Sequence, residues 1–226
     1  SATELDGVRS YLDLGFRLGL LLAQQNRNRR LQAARIDFRG DVISRSTRLI
    51  TASLTTGLLG GSFEADVNLV NAELVARERG IEITESTSSE SGDFATLVRA
   101  TLVTEADDIT ASATVFGNQF LRLVRLGPYQ LDAYLDGALL IFRHRDVPGL
   151  IGFIGTVLGQ HHVNIAHMSL GRQQDEPGGE AVAVLNLDNL PPPAALEEIA
   201  AHPEAIGVEL VSLPPAQTPL PWLPGS

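Results

Sequence analysis

Residues 140–172 read LIFRHRDVPGLIGFIGTVLGQHHVNIAHMSLGR, and this stretch decides the fold. An apolar run closing on His144-Arg145-Asp146 predicts a strand end. Pro148 suits the first turn of a helix, because the N–H it lacks would have no partner there anyway. The helix is predicted to reach Gln160, and Val163-Asn164-Ile165 starts a second strand. Working outward, residues 138–143, 163–172, 180–187 and 207–211 read as strands, and 148–160 and 193–201 as helices. That order is βαββαβ, the ferredoxin-like pattern, with residues 175–179 as the hairpin loop between the middle strands. Gly152, Gly155 and Gly159 share one helical face, which predicts close packing there on a sheet or a second helix.

Upstream, Asp136-Gly137 is a hairpin-type turn signal and the predicted domain boundary. The expected organisation is residues 1–137, residues 138–213, and a mobile Pro-rich tail, 214–226, whose Trp222 is a candidate for docking on a surface. In the first domain Val8, Tyr11, Leu12, Gly15, Leu18, Gly19 and Leu22 follow helical spacing. Leu14, Phe16, Leu20 and Leu21 make its other faces apolar, so the helix over 8–23 is expected to be buried between layers or subunits. A strand (34–39), a helix (46–59), a helix (69–79, capped by Asp66 or Asn68), a strand (81–84) and a Ser-rich loop (85–93) follow. Then come β segments at 94–103, 109–115 and 120–126 and a short strand at 130–135. The fold class is α+β: a mixed α/β domain followed by a βαββαβ domain.

Composition narrows the function. The net charge of −10 argues against nucleic acid and anionic membrane as partners, since both need a basic face. The absence of Cys excludes disulfides, thiolate metal sites and Cys nucleophiles. All 17 basic residues are Arg, so neither a Walker A lysine nor a Schiff-base lysine exists. No H-E-x-x-H, no G-x-S-x-G and no G-x-G-x-x-G after a strand occurs; no catalytic residue and no metal ligand is assigned. The apolar run at 14–23 contains Arg17, lacks a small-residue cleavage site and is too short to span a bilayer, which points to a cytoplasmic protein.

The candidate site lies at the strand end. The N–H groups of Gly149, Leu150 and Ile151 at a helix start suit a carboxylate, and Asp146 and Asn164 suit an ammonium. Period-two alternation turns His144 and Asp146 the same way. A small zwitterion fits this set; so does a bland alternative in which Asp146 caps the helix and His144 is exposed. Arg122 and Arg125 are candidate anion-binding residues, with a solvated Arg face as the alternative. His161-His162 reads as a solvated turn, and His167 as a surface or interface residue.

The motifs His144-x-Asp146-x-Pro148-Gly149-x-Ile151-Gly152, Gly155-Thr156-x-Leu158-Gly159, Asn164-Ile165-Ala166-x-Met168, Gly171-Arg172 and Gly178-Gly179-x-Ala181 resemble the ACT domain of D-3-phosphoglycerate dehydrogenases. Val67-Asn68-x-Val70-Asn71-Ala72, Ala76-x-Glu78-Arg79-Gly80-Ile81, Leu18-Gly19 and Thr56-Gly57-Leu58-Leu59 resemble the intervening, or allosteric substrate-binding, domain of that family. The resemblance implies a regulatory portion without the NAD-binding catalytic part, so no cofactor belongs to this chain. It implies feedback inhibition by L-serine or a related amino acid, held at the seam of a homodimer or higher homo-oligomer. His144, Asp146, Gly149 and Leu150 would come from one copy and Asn164 from the other. At the family's anion-binding positions stand Arg122, in place of a Lys, and Tyr134, in place of an Arg. Two further readings remain: the β subunit of an iron–sulfur L-serine dehydratase, whose S-S-S-H-T run is absent here, and a ligand-free oligomerisation module.

Overall fold

The computed structural model describes residues 2–27, 29–60, 67–90, 92–117, 119–173 and 178–220, with only the backbone of 2–7. They form two compact units, one running to Gly127 and taking in residues 217–220, the other Pro128–Ala216.

The first unit is built on two helices, α1 (Ala2–Asn26) and α2 (Thr47–Gly60). Their backbones touch. A Cβ on Gly19 would overlap the Leu54 carbonyl oxygen, and one on Gly57 the Phe16 carbonyl oxygen. Ser53 Oγ donates across the contact to Leu12 O at 2.6 Å. Leu14, Leu18, Leu21, Leu22, Ile50 and Leu54 are fully buried. Arg17, the charge inside the apolar run, is 1% exposed and its Nε meets Asp13 Oδ1 one turn back at 2.6 Å.

Strands β1 (Leu31–Gly40), β2 (Glu82–Ser88), β3 (Thr96–Thr104), β4 (Ile109–Phe116) and β5 (Phe120–Leu126) lie in the order β2-β1-β3-β4-β5. Only β1/β2 is parallel among these neighbours. Alternate residues Ala34, Ile36, Phe38, Val98, Ala100 and Leu102 are buried, so one face holds the core while the other is polar. Two sequence expectations change. The Ser-rich loop begins later than predicted, because polar residues 85–88 pair with β1 as an edge strand and Ser86 Oγ bonds Asp37 Oδ1 at 2.5 Å. The helix predicted over 69–79 is α3 (Ala72–Glu78): Asn68 Oδ1 takes the Val70 N–H and Asn71 Oδ1 the Asn68 N–H, which closes a turn before the helix instead of capping it. Asp66 lies outside the described residues.

The second unit holds β6 (Tyr129–Tyr134), β7 (Ala138–Arg145), α4 (Leu150–Gln160), β8 (Ile165–Arg172), β9 (Glu180–Leu187), α5 (Pro193–Ala200) and β10 (Ala205–Ser212). Its sheet runs β10-β7-β9-β8, all antiparallel, which is the ferredoxin-like arrangement expected. Leu140, Phe142, Ala183 and Leu185 pack against Leu150, Ile154, Val157 and Leu158 of α4 and Ala195 and Ile199 of α5. The compact units divide after Gly127, ahead of the predicted boundary at Asp136-Gly137, and β6 is tied to this sheet. Asn186 grips the Tyr134 N–H and C=O at 3.1 and 3.0 Å, and the Asp132 N–H reaches Ser169 Oγ at 2.8 Å.

The expected close packing at Gly152, Gly155 and Gly159 is overturned: a Cβ at any of the three meets nothing within 4 Å. The sheet takes the face of α4 bearing Leu150, Ile154, Val157 and Leu158, and the glycines lie on the other side. The tail is not loose throughout. Pro214 O accepts from the Gly137 N–H at 3.2 Å, and Leu220 is buried. Trp222 lies outside the described residues. Among those residues no helix is long and apolar enough to cross a membrane.

Candidate functional site

β7 delivers His144 at its end. The ring is 3% exposed and stacks on Phe142, with centroids 5.0 Å apart. Nδ1 lies 2.7 Å from Arg145 O. A carbonyl oxygen can only accept, so Nδ1 carries the proton and Nε2 of the neutral ring is an acceptor. Nε2 is buried with no hydrogen-bond partner among the described residues. The exposed-histidine alternative therefore fails: alternation along β7 turns this ring toward the helix layer, beside Phe142.

The strand stops at Arg145, and Asp146 lies beyond it in the turn. Its N–H donates to Gly179 O at 2.8 Å. Arg172 Nε stands 2.8 Å from Asp146 Oδ2, an ion pair in distance but without hydrogen-bond alignment. The helix starts at Leu150 and not at Pro148, because Gly149 takes φ 89°, a left-handed conformation that a side chain disfavours. Among the described residues no side chain caps this terminus. The first-turn N–H groups, including those of Leu150 and Ile151, have no intrahelical acceptor by construction. Asp146 thus does not cap the helix, as the bland alternative required.

Asn164 is elsewhere. It precedes β8, where its Nδ2 donates to Asp188 Oδ2 at 2.7 Å. Arg172 and Asp146 sit at the far end of that strand, roughly 25 Å away at the rise of an extended chain. One chain therefore brings together His144, Asp146, Gly149 and Leu150, and leaves Asn164 apart. Of the other histidines, His167 Nε2 contacts Asp132 O at 2.8 Å, His161 Nε2 lies 3.4 Å from Glu198 Oε2, and His162 closes α4 with φ 57°.

Arg122 and Arg125, three residues apart, would face opposite ways on a regular strand. A bulge changes that: Arg125 lies opposite Ser112 and Arg122 opposite Thr114, so both take one face. Arg99 joins them, also opposite Ser112. A cavity of the first unit, about 870 Å³, is lined instead by Arg29, Arg30 and Arg79 over Leu58, Leu59 and Ile81. The C-terminal ends of α1, α2 and α3 converge there, and cations offset such carbonyl ends.

Sequence reasoning gave no role to two residues that matter. Arg172 was visible only as part of a motif. Asn186 was likewise part of a motif run, Val184-Leu185-Asn186, and is the lone polar residue in Val184-Leu185-Asn186-Leu187.

A βαββαβ sheet with a histidine-bearing strand end beside a glycine-initiated, uncapped helix defines an ACT domain, and residues 138–204 match the ACT domain model. Residues 7–127 match the D-3-phosphoglycerate dehydrogenase intervening domain. The chain belongs to the D-3-phosphoglycerate dehydrogenase family and carries these two regulatory-region domains. It is 30% identical over 211 residues to D-3-phosphoglycerate dehydrogenase of Bacillus subtilis, covering 93% of this chain and 40% of that protein. The Archaeoglobus fulgidus protein of the same name is 29% identical over 211 residues, with the same 93% and 40%. That of Synechocystis is 31% identical over 202 residues, covering 86% of this chain and 35% of the relative. The chain spans about two fifths or less of the length of these relatives.

Proposed function

We propose that this chain is the amino-acid-sensing portion of a D-3-phosphoglycerate dehydrogenase, and that two copies pair through β8 to hold L-serine at the seam for feedback inhibition. The observation that carries this is the buried Nε2 of His144, which has no partner among the described residues, beside Asp146 and a helix start that no described side chain caps. Each group has a use. The first-turn N–H groups at Gly149 and Leu150 take the carboxylate, Asp146 takes the ammonium, and His144 Nε2 accepts the ligand hydroxyl.

The separation of Asn164 supports a seam. β8 is an edge of its four-stranded sheet, and Met168 and Leu170 on it are 37% and 52% exposed. Two such edges pairing antiparallel about Met168 would set Asn164 of one copy opposite Arg172 of the other, so Asn164 joins His144 and Asp146 only in the dimer. NAD-dependent oxidation would belong to regions of the enzyme outside this chain. On the first unit, the shared face of Arg99, Arg122 and Arg125 supports an anion-binding surface.

Calorimetric titration of L-serine, with glycine and L-phenylalanine as controls, tests the reading. Selective binding at one serine per seam half is expected. A folded dimer that takes up no amino acid would make the seam a structural joint only.

A further inference from the structure

The Arg172–Asp146 pair blocks the carboxylate that a ligand ammonium needs. Asp146 Oδ2 is buried, with Arg172 Nε 2.8 Å away, while the Arg172 side chain is 52% exposed. A pair with one partner half in water and poor hydrogen-bond alignment is held weakly, so it opens readily. The backbones on either side are fixed: Arg172 is paired with Ala181 across β8/β9, and the Asp146 N–H is tied to Gly179 O. Opening therefore needs only a swing of the arginine side chain. Asp146, which it leaves, stands three residues before Gly149 on the segment that leads into α4, so a released guanidinium starts close in sequence to the helix start where a ligand carboxylate would lie.

We infer that Arg172 is a charge latch on the amino-acid site, an inference that rests on the proposed effector role. In the empty site it neutralises Asp146. An arriving α-ammonium replaces the guanidinium at Oδ2, and the released guanidinium turns to the ligand's carboxylate. Both charges must arrive on one molecule. A plain amine displaces Arg172 and strands it without an anion; a plain acid leaves Asp146 closed. The latch thus selects a zwitterion over either half of one, and it keeps a carboxylate from standing unpaired when no ligand is present.

The test is a calorimetric comparison of L-serine with ethanolamine, which is serine without its carboxylate, on the whole chain and on Arg172→Gln. The variant should lose serine affinity about tenfold or more, the cost of one charge-assisted contact. Ethanolamine should bind the variant as well as or better than the wild type, so the serine-to-ethanolamine ratio collapses. Arg172→Lys should restore part of it. A variant that binds serine with an unchanged ratio overturns the latch while leaving the effector role standing. A wild-type chain that binds neither compound overturns the effector role, and the latch falls with it. Unchanged thermal midpoints confirm that the half-exposed substitution leaves the fold intact.

Discussion

Helix α1 against α2 in the first unit and helix α4 in the second carry nearly the same signal, glycines at helical spacing in an apolar run, and use it in opposite ways. Gly19 and Gly57 exist because another backbone occupies the space a Cβ would take; Gly152, Gly155 and Gly159 face nothing within 4 Å among the described residues. Glycine spacing therefore marks a helix face without saying whether that face is sealed. The first unit uses its glycines to close a core. The second leaves the glycine face of α4 and the edge of β8 open, on the same domain that carries the candidate site.

The sharpest way to break this contrast is Gly19→Ala. Its Cβ would meet the carbonyl oxygen of Leu54, which cannot step aside without moving α2. A loss of about 3 kcal/mol or more is expected in chemical denaturation, at the upper end of overpacking costs. An unchanged midpoint would show that α1 and α2 are not in backbone contact.

Next comes Asp146→Ala, which probes the open side of the comparison. Removing the ammonium's partner should weaken L-serine by about 10- to 100-fold, equivalent to ~1.5–3 kcal/mol, by calorimetry. Stability should barely change, since Asp146 Oδ2 loses only the Arg172 contact. Equal affinity in the variant would move the site elsewhere.

Gly155→Ala should have the reverse sign to Gly19→Ala. With no neighbour within 4 Å, the new methyl adds helix propensity and should raise stability by roughly 0.5–1 kcal/mol. A loss seen only at concentrations where the chain is dimeric would place this face in the seam.

The smallest effect concerns Tyr129, which fixes β6 to the second sheet. Burial, and then the Glu180 carboxylate, whose Oε2 accepts from the hydroxyl at 3.4 Å, raise its pKa above the ordinary 10.0. A raised folded-state pKa stabilises the fold fully below pH 10.0, and this contribution is lost as pH climbs through the folded value, because the unfolded phenol ionises first. Tyr129→Phe should flatten that alkaline decline in thermal midpoint while changing little at neutral pH. An identical alkaline slope in both proteins would remove Tyr129 as its source.

Most of the second unit was legible in the sequence because its strands and helices alternate cleanly and its turn residues sit at their ends. The run His144-Arg145-Asp146-Val147-Pro148-Gly149 reads as a strand end followed by a helix start, and the structure has β7 ending at Arg145 and α4 starting at Leu150. What stayed illegible has one cause each. β2 continues through polar residues, since an edge strand needs a partner on one side only. β6 is held to the second sheet through Asn186, a side chain distant in sequence. Arg122 and Arg125 share a face only through a one-residue bulge, which no periodicity announces.

By itself, then, the sequence determined the two-domain α+β order, the absence of lysine and cysteine chemistry, and the cluster at the end of residues 140–149, because these depend on local periodicity and residue type. Only the tertiary structure decided that Arg17 and His144 are buried, that α1 and α2 touch through Gly19 and Gly57 while the glycines of α4 touch nothing, and that Arg172 closes on Asp146. Those outcomes depend on which faces meet across long sequence separations, and contact between distant segments leaves no period in the chain.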